Sequence, residues 1–344
     1  MPKRRKDVIF FDAPPVISAW GSAGGKKEGE GPLASAFDYL TQDAAFADEN
    51  CANWEQAESM LQQKAAGICL RKAGIAAKDV DLTFAGDLQA QCTASNYTLR
   101  TLATPFAGLY GACSTMTEAL CLGAAFAAAG LGRQILAMTS SHFCAAERQF
   151  RTPLEYGAKR TPTAQWTATA AGACLLRGPG QGGVQILSAT FGRVQDYGVT
   201  DINNMGAARM PAAASTRRRY FDATGAAPAD FDAIFTGDLG QVGSDLLCEQ
   251  MEKEGVPLPN HYDCGCLLYD VDSQNVQAGG SGAGCSAAVL AAHVLPGLVE
   301  RRWRRVLFLS TGALMSQTTF LQKESIPAIA HLVELWAPKK EGIA

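Results

Sequence analysis

Two parts of the chain carry the same succession of apolar and polar patterns. Each has a short apolar run that ends in Gly-Asp, then a small-residue turn that leads into an apolar helix pattern, then a basic residue and a second apolar run. The first part contains DLTFAGDL at 81–88, GACSTMTEALCLGAAFAAAG from Gly111 and RQILAMTSS from Arg133. The second contains DAIFTGDL at 232–239, GAGCSAAVLAAHVLPGLVE from Gly282 and RRVLFLSTG from Arg304. The repetition indicates an internal duplication.

Continuous apolar strands that alternate with helices pair in parallel and are covered by helices. We therefore predict an α/β fold of two duplicated, βαβ-rich halves in layers, residues 1–183 and 184–344, with a linker near 178–183 or just beyond the following strand. Stretches rich in Gly, Pro or polar residues are predicted as loops, and long ordered loops often carry function. These loops are 21–32, 141–165 and 196–211.

A cysteine, Cys113, stands where the first apolar helix begins. The helix is predicted from about Ser114 to Ala129, with hydroxyls in its first turn and Glu118 at capping-box spacing from Thr115. Because the first turn of a helix carries unpaired N–H groups and a partial positive charge, a thiol there would lose its proton more readily. Cys113 is a candidate nucleophile, and the alternative is a buried core thiol.

Composition fits a globular protein with a large core, since 47% of the 344 residues are hydrophobic and 18% are charged. A formal net charge of -3 gives no overall attraction to nucleic acid. The basic clusters are short, and we predict solvated surface for them, with contact to a partner or an anionic membrane as the alternative. They are Lys3–Lys6, Arg217–Arg219 and Arg301–Arg305.

The 11 cysteines lack paired metal-ligand spacing, and no apolar run approaches the ~20 residues of a membrane span. The N-terminus has no signal-peptide pattern. We therefore expect unpaired thiols, no metal site, no cofactor and synthesis in the cytoplasm.

Several longer motifs resemble a known family. They are SAWGSAGGKKEGEGPLASAFD, AGDLQAQCTASNY, GACSTMTEAL, SSHFCAAERQFRTPLEYG, FTGDLGQVGS, AGGSGAGCSA and STGALMSQTTFLQKESIPAIAH. A duplicated α/β core with a cysteine at the head of a buried helix resembles the thiolase superfamily, which includes ketoacyl synthases. Within it, these motifs resemble the SpoVAD (stage V sporulation protein AD) family of spore-forming bacteria from about residue 18 to residue 331.

This resemblance implies a thiolase-like fold in α/β/α/β/α layers. It also implies binding of dipicolinic acid (pyridine-2,6-dicarboxylate), either free or as its Ca²⁺ chelate, during uptake into the developing spore. Expected partners are the other SpoVA membrane proteins and a second copy of the chain in a homodimer. The expected location is peripheral, at the spore inner membrane.

The resemblance further implies that Cys113 and His261, in NHYDCG, occupy catalytic positions of condensing enzymes. Those enzymes place an Asn or a second His in the region of the loop Gly279–Ser286, which contains neither residue here. We therefore predict that these positions are not catalytic, and that the glycines of this loop serve close packing rather than phosphate binding. An acyl-transferring condensing enzyme of thiolase or 3-ketoacyl synthase type, with Cys113 as nucleophile, is the alternative function. A scaffold that docks a membrane partner is a third.

A dicarboxylate ligand needs cationic or N–H donors and a flat apolar wall. We predict that the ligand-binding pocket surrounds Cys113, where the start of the helix offers N–H groups to a carboxylate. Further candidate donors are Lys27, with Lys26 beside it, and His142, Arg148 and Arg151. An ion pair with Glu147 is an alternative for Arg148, and a hydrogen-bonded core position is one for His142. Asp87, with Gln91 and Ser95 after it, is a further ligand-binding candidate. Capping of the next helix is its alternative, as for its counterpart Asp238 in the second half.

Overall fold

The computed structural model describes residues 2–43, 51–149 and 160–338. The strands are β1 (Pro2–Arg5), β2 (Val8–Phe11), β3 (Val16–Gly24), β4 (Tyr39–Leu40), β5 (Leu82–Gly86), β6 (Phe106–Gly108), β7 (Ile135–Ser141), β8 (Trp166–Thr167), β9 (Ala170–Arg177), β10 (Val184–Thr190), β11 (Ala233–Thr236), β12 (His261–Asp263), β13 (Gly280–Ser281), β14 (Arg305–Ala313) and β15 (Ala328–Trp336). The helices are α1 (Trp54–Ala73), α2 (Thr93–Leu102), α3 (Thr115–Ala128), α4 (Phe143–Glu147), α5 (Met205–Thr224), α6 (Gly240–Lys253), α7 (Cys264–Leu268), α8 (Ala283–Val289), α9 (Leu295–Val299) and α10 (Gln317–Leu321).

The order of the strands in the sheet confirms the duplication. The main path through the sheet is β12-β11-β14-β15-β10-β3-β9-β7-β5-β6. Each half contributes five strands to this path. If the five are numbered by their order along the chain, they lie side by side in the order third, second, fourth, fifth, first in both halves. The second strand pairs in parallel with the third and with the fourth, as predicted. The fifth strand pairs antiparallel with the fourth and with the first, so the sheet is mixed. The halves join where β3 pairs with β10.

Helices cover and separate the two halves. Helix α1 packs on β3 and β9, and α5 packs on β14 and β15, so these helices form the outer layers. Helix α3 contacts strands of both halves, and the largest apolar cluster surrounds it. Two smaller clusters lie under the outer helices. In the described ranges, every helix is too short or too polar to cross a bilayer.

All three predicted loops contain some regular structure, and the loop at 141–165 contains α4. Gly21–Gly24 belongs to β3. The outer helix α1 approaches this strand so closely that a Cβ on Gly21 would lie 2.3 Å from the Ala65 carbonyl oxygen. Glycine therefore serves packing here and does not break the strand. The predicted loop at 196–211 ends earlier, because Asn204 caps α5 by accepting a hydrogen bond from the Ala207 N–H at 3.2 Å.

Helix α3 begins close to the predicted position but without the predicted capping box. A short turn, Ala112–Ser114, precedes it, and Ala112 has a φ of 52°. The hydroxyls tie this turn to its surroundings: Ser114 Oγ donates to the Gly111 carbonyl at 2.6 Å, and Thr117 Oγ1 donates to Ser310 Oγ of β14 at 2.6 Å. Cys113 is thus held between the two halves.

We expect Gly21→Ala to lower the free energy of unfolding by on the order of 1–3 kcal/mol, because the new methyl group overlaps the α1 backbone. Gly67→Ala is the matched control on the exposed side of α1, where an added Cβ meets nothing within 4 Å. It should raise stability by about 0.5–1 kcal/mol. Urea unfolding of both variants is the measurement, and equal effects would contradict this account of β3.

Candidate functional site

A cavity of about 330 Å³ opens beside Cys113, near the carboxyl ends of β5 and β14. Its side walls are largely apolar and include Leu88, Tyr110, Met205, Leu314 and Met315. Its polar lining residues form two groups. Those at its buried end, which we call the floor, are Cys113, Thr167, Arg209 and Ser281, and the others, Gln149, Ser316, Gln317 and Thr319, are half-buried or exposed. A mainly apolar cavity with a few convergent polar groups is typical of a small-molecule site.

The floor is organised by a buried ion pair between Arg209 of α5 and Asp238, which follows β11. Asp238 also accepts hydrogen bonds from Thr311 Oγ1 at 2.8 Å and from the Gly282 N–H at 2.9 Å. Arg209 also donates to Gln165 Oε1 and to Ser281 Oγ. Because each charge is matched and hydrogen-bonded, the floor carries no net charge from this pair.

The prediction that its position acidifies Cys113 is wrong. Burial raises the pKa of the Cys113 thiol, the negative charge of Asp238 raises it further, and Arg209 only partly opposes them. A helix terminus stabilises a thiolate only where the charge stays hydrated or is paired, and here the thiol is buried beside the Asp238 carboxylate. Cys113 is therefore a protonated thiol at neutral pH.

The structure does not bring His261 to Cys113. His261 pairs in register with Ile234, whose side chain belongs to the outer apolar cluster under α5 and α6. Its Nε2 lies 2.8 Å from Thr236 Oγ1 and its Nδ1 lies 3.5 Å from Cys248 Sγ of α6. Burial, with a smaller contribution from the Arg217 charge, lowers the pKa of His261 to about 3, so the ring is neutral.

The predicted cationic donors lie outside the described cavity wall. Lys27 Nζ donates to the Gln274 carbonyl at 2.6 Å and lies 4.4 Å from the centre of a Trp166 ring. Arg148 pairs with Glu55 of α1, not with Glu147, and stacks over Trp54. His142 is buried at the start of α4, as its core alternative states. Arg151 lies outside the described residues.

Asp87 caps the next helix, as its alternative predicted. It accepts hydrogen bonds from the Gln89 N–H at 2.9 Å and from the N–H and hydroxyl of Ser95 at 2.8 and 2.7 Å. Gln91 is exposed at a φ of 57°. These three residues are absent from the described cavity wall, so Cys113 alone of the predicted ligand-binding residues borders the cavity.

The glycine loop before α8 serves packing, as predicted. A Cβ on Gly284 would lie 2.1 Å from the Ala170 carbonyl oxygen of β9. Close approach of this turn to β9 brings Ser281 and the Gly282 N–H to Asp238.

Sequence reasoning missed Arg209 and Gln165. Arg209 lies in a stretch predicted as a loop, but the sequence around it, MGAARMPAAAS, could have indicated that its charge is buried. A single Arg among Ala and Met residues is typical of a buried charge that needs a fixed partner.

The basic cluster Arg217–Arg219 was predicted as solvated surface, but Arg217 is fully buried in α5. Its three guanidinium nitrogens have no hydrogen-bond partner among the described residues, and burial lowers its pKa to about 10, so it stays charged. Arg217 therefore contrasts with Arg209, two turns earlier in the same helix.

The fold of this chain is that of condensing-enzyme-like, thiolase-like proteins. Similar solved structures include 3-oxoacyl-[acyl-carrier-protein] synthase III from Aquifex aeolicus (TM-score 0.57, 12% identity, 94% of this chain and 99% of that one) and a variant of OleA from Xanthomonas campestris (TM-score 0.60, 12% identity, 95% and 99%). The chain matches the stage V sporulation protein AD (SpoVAD) family over residues 5–336 and belongs to it. It is 42% identical over 328 residues to stage V sporulation protein AD of Bacillus subtilis (strain 168), covering 95% of each chain.

We expect Arg209→Met to lower the free energy of unfolding by about 3–5 kcal/mol, because it leaves Asp238 charged, buried and unpaired. The same substitution at Arg217 should raise stability by about 1–3 kcal/mol, because it removes a buried charge that has no partner. Chemical unfolding of the two variants is the measurement. Destabilisation by Arg217→Met comparable to that by Arg209→Met would contradict this description of α5.

The buried carboxyl group of Glu58, in α1, should make the free energy of unfolding depend on pH. It is buried near Asp87, and burial together with the Asp87 charge raises its pKa to about 8. Since the folded protein holds this proton more tightly than the unfolded chain, Glu58 contributes stability at low pH. That contribution falls as pH rises from about 4.5 to about 8, by up to about 4 kcal/mol. Unfolding free energies measured across this window should fall less steeply in Glu58→Gln, and an unchanged slope would contradict the assignment.

Proposed function

We propose that this protein binds dipicolinic acid, pyridine-2,6-dicarboxylate, for its uptake into the developing spore, and that the cavity beside Cys113 holds this ligand. Membership of a sporulation family supports the biological setting. The apolar side walls suit a flat aromatic ring, and the polar floor suits a carboxylate. We further propose that binding takes place at the spore inner membrane.

The ion pair at the floor is the observation that carries a binding function. An acyl-transferring enzyme of this fold needs a reactive thiolate at Cys113. Asp238 and burial instead keep this thiol protonated. A neutral thiol beside a fixed ion pair is suited to holding a ligand without forming a covalent bond to it.

Arg209 is the cation of the described cavity wall, and its donors are largely occupied. Its Nε donates to the Met205 carbonyl, and its Nη atoms contact Asp238, Ser281 and Gln165. A guanidinium has five N–H groups, so one donor remains for a carboxylate. A floor without net charge favours the calcium chelate, in which Ca²⁺ cancels the two carboxylates, over the free dianion.

Calorimetric titration with dipicolinate, alone and with Ca²⁺, tests this proposal. Leu314→Trp should weaken binding by about tenfold or more, because the indole fills part of the cavity. Leu321→Trp, on the exposed surface of α10, is the matched control and should bind like the parent, as should Lys27→Ala.

Two results would overturn the proposal. One is absence of dipicolinate binding by the folded parent protein in both the free and the calcium-bound form. The other is condensation or thiolysis of an acyl-CoA that is abolished by Cys113→Ala, which would establish the enzymatic alternative.

A further inference from the structure

Cationic side chains concentrate around the edge strand β1 and the segments next to it, a region that we call the basic face. Strand β1 is an edge strand that pairs only with β2 within the described chain, and its residues Lys3, Arg4 and Arg5 are exposed. The turn after β1 brings Lys6 Nζ to within 3.1 Å of the Asp222 carbonyl oxygen at the end of α5. The other members come from the segment after β10 and from α5. The face comprises Lys3, Arg4, Arg5, Lys6, Arg193, Arg218 and Arg219.

Asp7 joins these segments without neutralising them. Its carboxylate contacts Arg193 at 2.9 Å and Arg219 at 2.8 Å, with Arg4 at 4.0 Å. Lys3 pairs with Asp12 and Arg218 with Glu254, and the carboxylate of Asp222 lies near Arg218. The exposed Asp196 precedes Tyr197 and adds a fifth carboxylate, so the seven cations outnumber five carboxylates, although the whole chain has a formal net charge of -3. Side chains of Lys3, Arg4 and Arg193 remain 74%, 73% and 65% exposed.

A second basic cluster, at 301–305, has a different environment. Arg301 donates to the Ala337 carbonyl, Arg302 contacts Glu300 and His293, and Arg305 pairs with the buried Glu334. These contacts direct three of its guanidinium groups to the protein itself, so the cluster supports the fold more than it offers charge to a partner.

Exposed apolar side chains accompany the basic face. Tyr197 is 71% exposed and lies near Arg218, and Val194, next to Arg193, is 54% exposed. Basic residues that surround an exposed aromatic and an aliphatic side chain suit the surface of a bilayer, where phosphate groups pair with the cations and the ring enters the interface.

We propose that the basic face docks this protein onto an anionic phospholipid surface. This proposal names the surface for the membrane location proposed above, and it does not involve the cavity. Helix α5 separates the two sites, since Arg209 borders the cavity and Arg218 lies nine residues further along, about 14 Å at 1.5 Å per residue. Ligand binding and membrane binding can therefore be lost independently.

The test is co-sedimentation of the full-length protein with vesicles of phosphatidylcholine, with and without phosphatidylglycerol. We expect binding only to the anionic vesicles, and weaker binding as salt is added. Arg4→Glu with Arg5→Glu should weaken it by about tenfold or more. Arg302→Glu with Arg304→Glu changes the net charge equally on the other cluster and should stay within about twofold of the parent. Thermal unfolding verifies that both double variants are folded.

Equal losses in the two double variants would overturn the proposal, because net charge and not this face would then govern binding. Failure of the parent protein to bind anionic vesicles would also overturn it and would favour an acidic protein segment as the partner of the face. Vesicle binding is measured without dipicolinate, so its outcome is independent of the cavity's ligand.

Discussion

The ion pair between Arg209 and Asp238 joins the elements on which the cavity depends. Arg209 belongs to an outer helix, Asp238 follows β11, and Asp238 also holds Thr311 of β14 and the turn before α8. Because both charges are removed from water, separating them would cost far more than the pair contributes to stability when it is intact. The floor of the cavity is therefore fixed in geometry and in charge, and the chemistry of Cys113 follows from it.

The first half contains two side chains at positions equivalent to those of the Arg209–Asp238 pair. Asp87 and Asp238 follow equivalent strands, and each faces the fifth residue of a 20-residue outer helix, Glu58 in α1 and Arg209 in α5. In the first half two carboxyl groups are neighbours, and one of them stays protonated at neutral pH. In the second half the outer helix supplies a cation, which forms an ion pair with the carboxylate. At equivalent positions of the two halves, an aspartate therefore has a carboxyl group as its neighbour in the first half and a guanidinium group in the second.

The sequence alone was sufficient for the repeated strands, the duplicated fold and the position of Cys113, because apolar run length and small-residue turns are local signals. It was insufficient for the site, which depends on distant pairings. His261 faces the outer helices because of its strand register, and a shift of one residue would reverse that direction. Lys27 and Arg148 contact residues of other segments, and Arg209 belongs to a stretch that the sequence predicted as a loop. The pKa of Cys113 required knowledge of both its burial and its neighbours.

Burial of the thiols also has a consequence for the chemical lifetime of the protein. Seven of the 11 cysteines are buried, none of these seven forms a disulfide within the described chain, and burial raises the pKa of each of their thiols. Oxidants and disulfides react with the thiolate, and each unit by which a pKa rises reduces the thiolate fraction at neutral pH about tenfold. These seven buried thiols can therefore persist for long periods without oxidation and without continual repair.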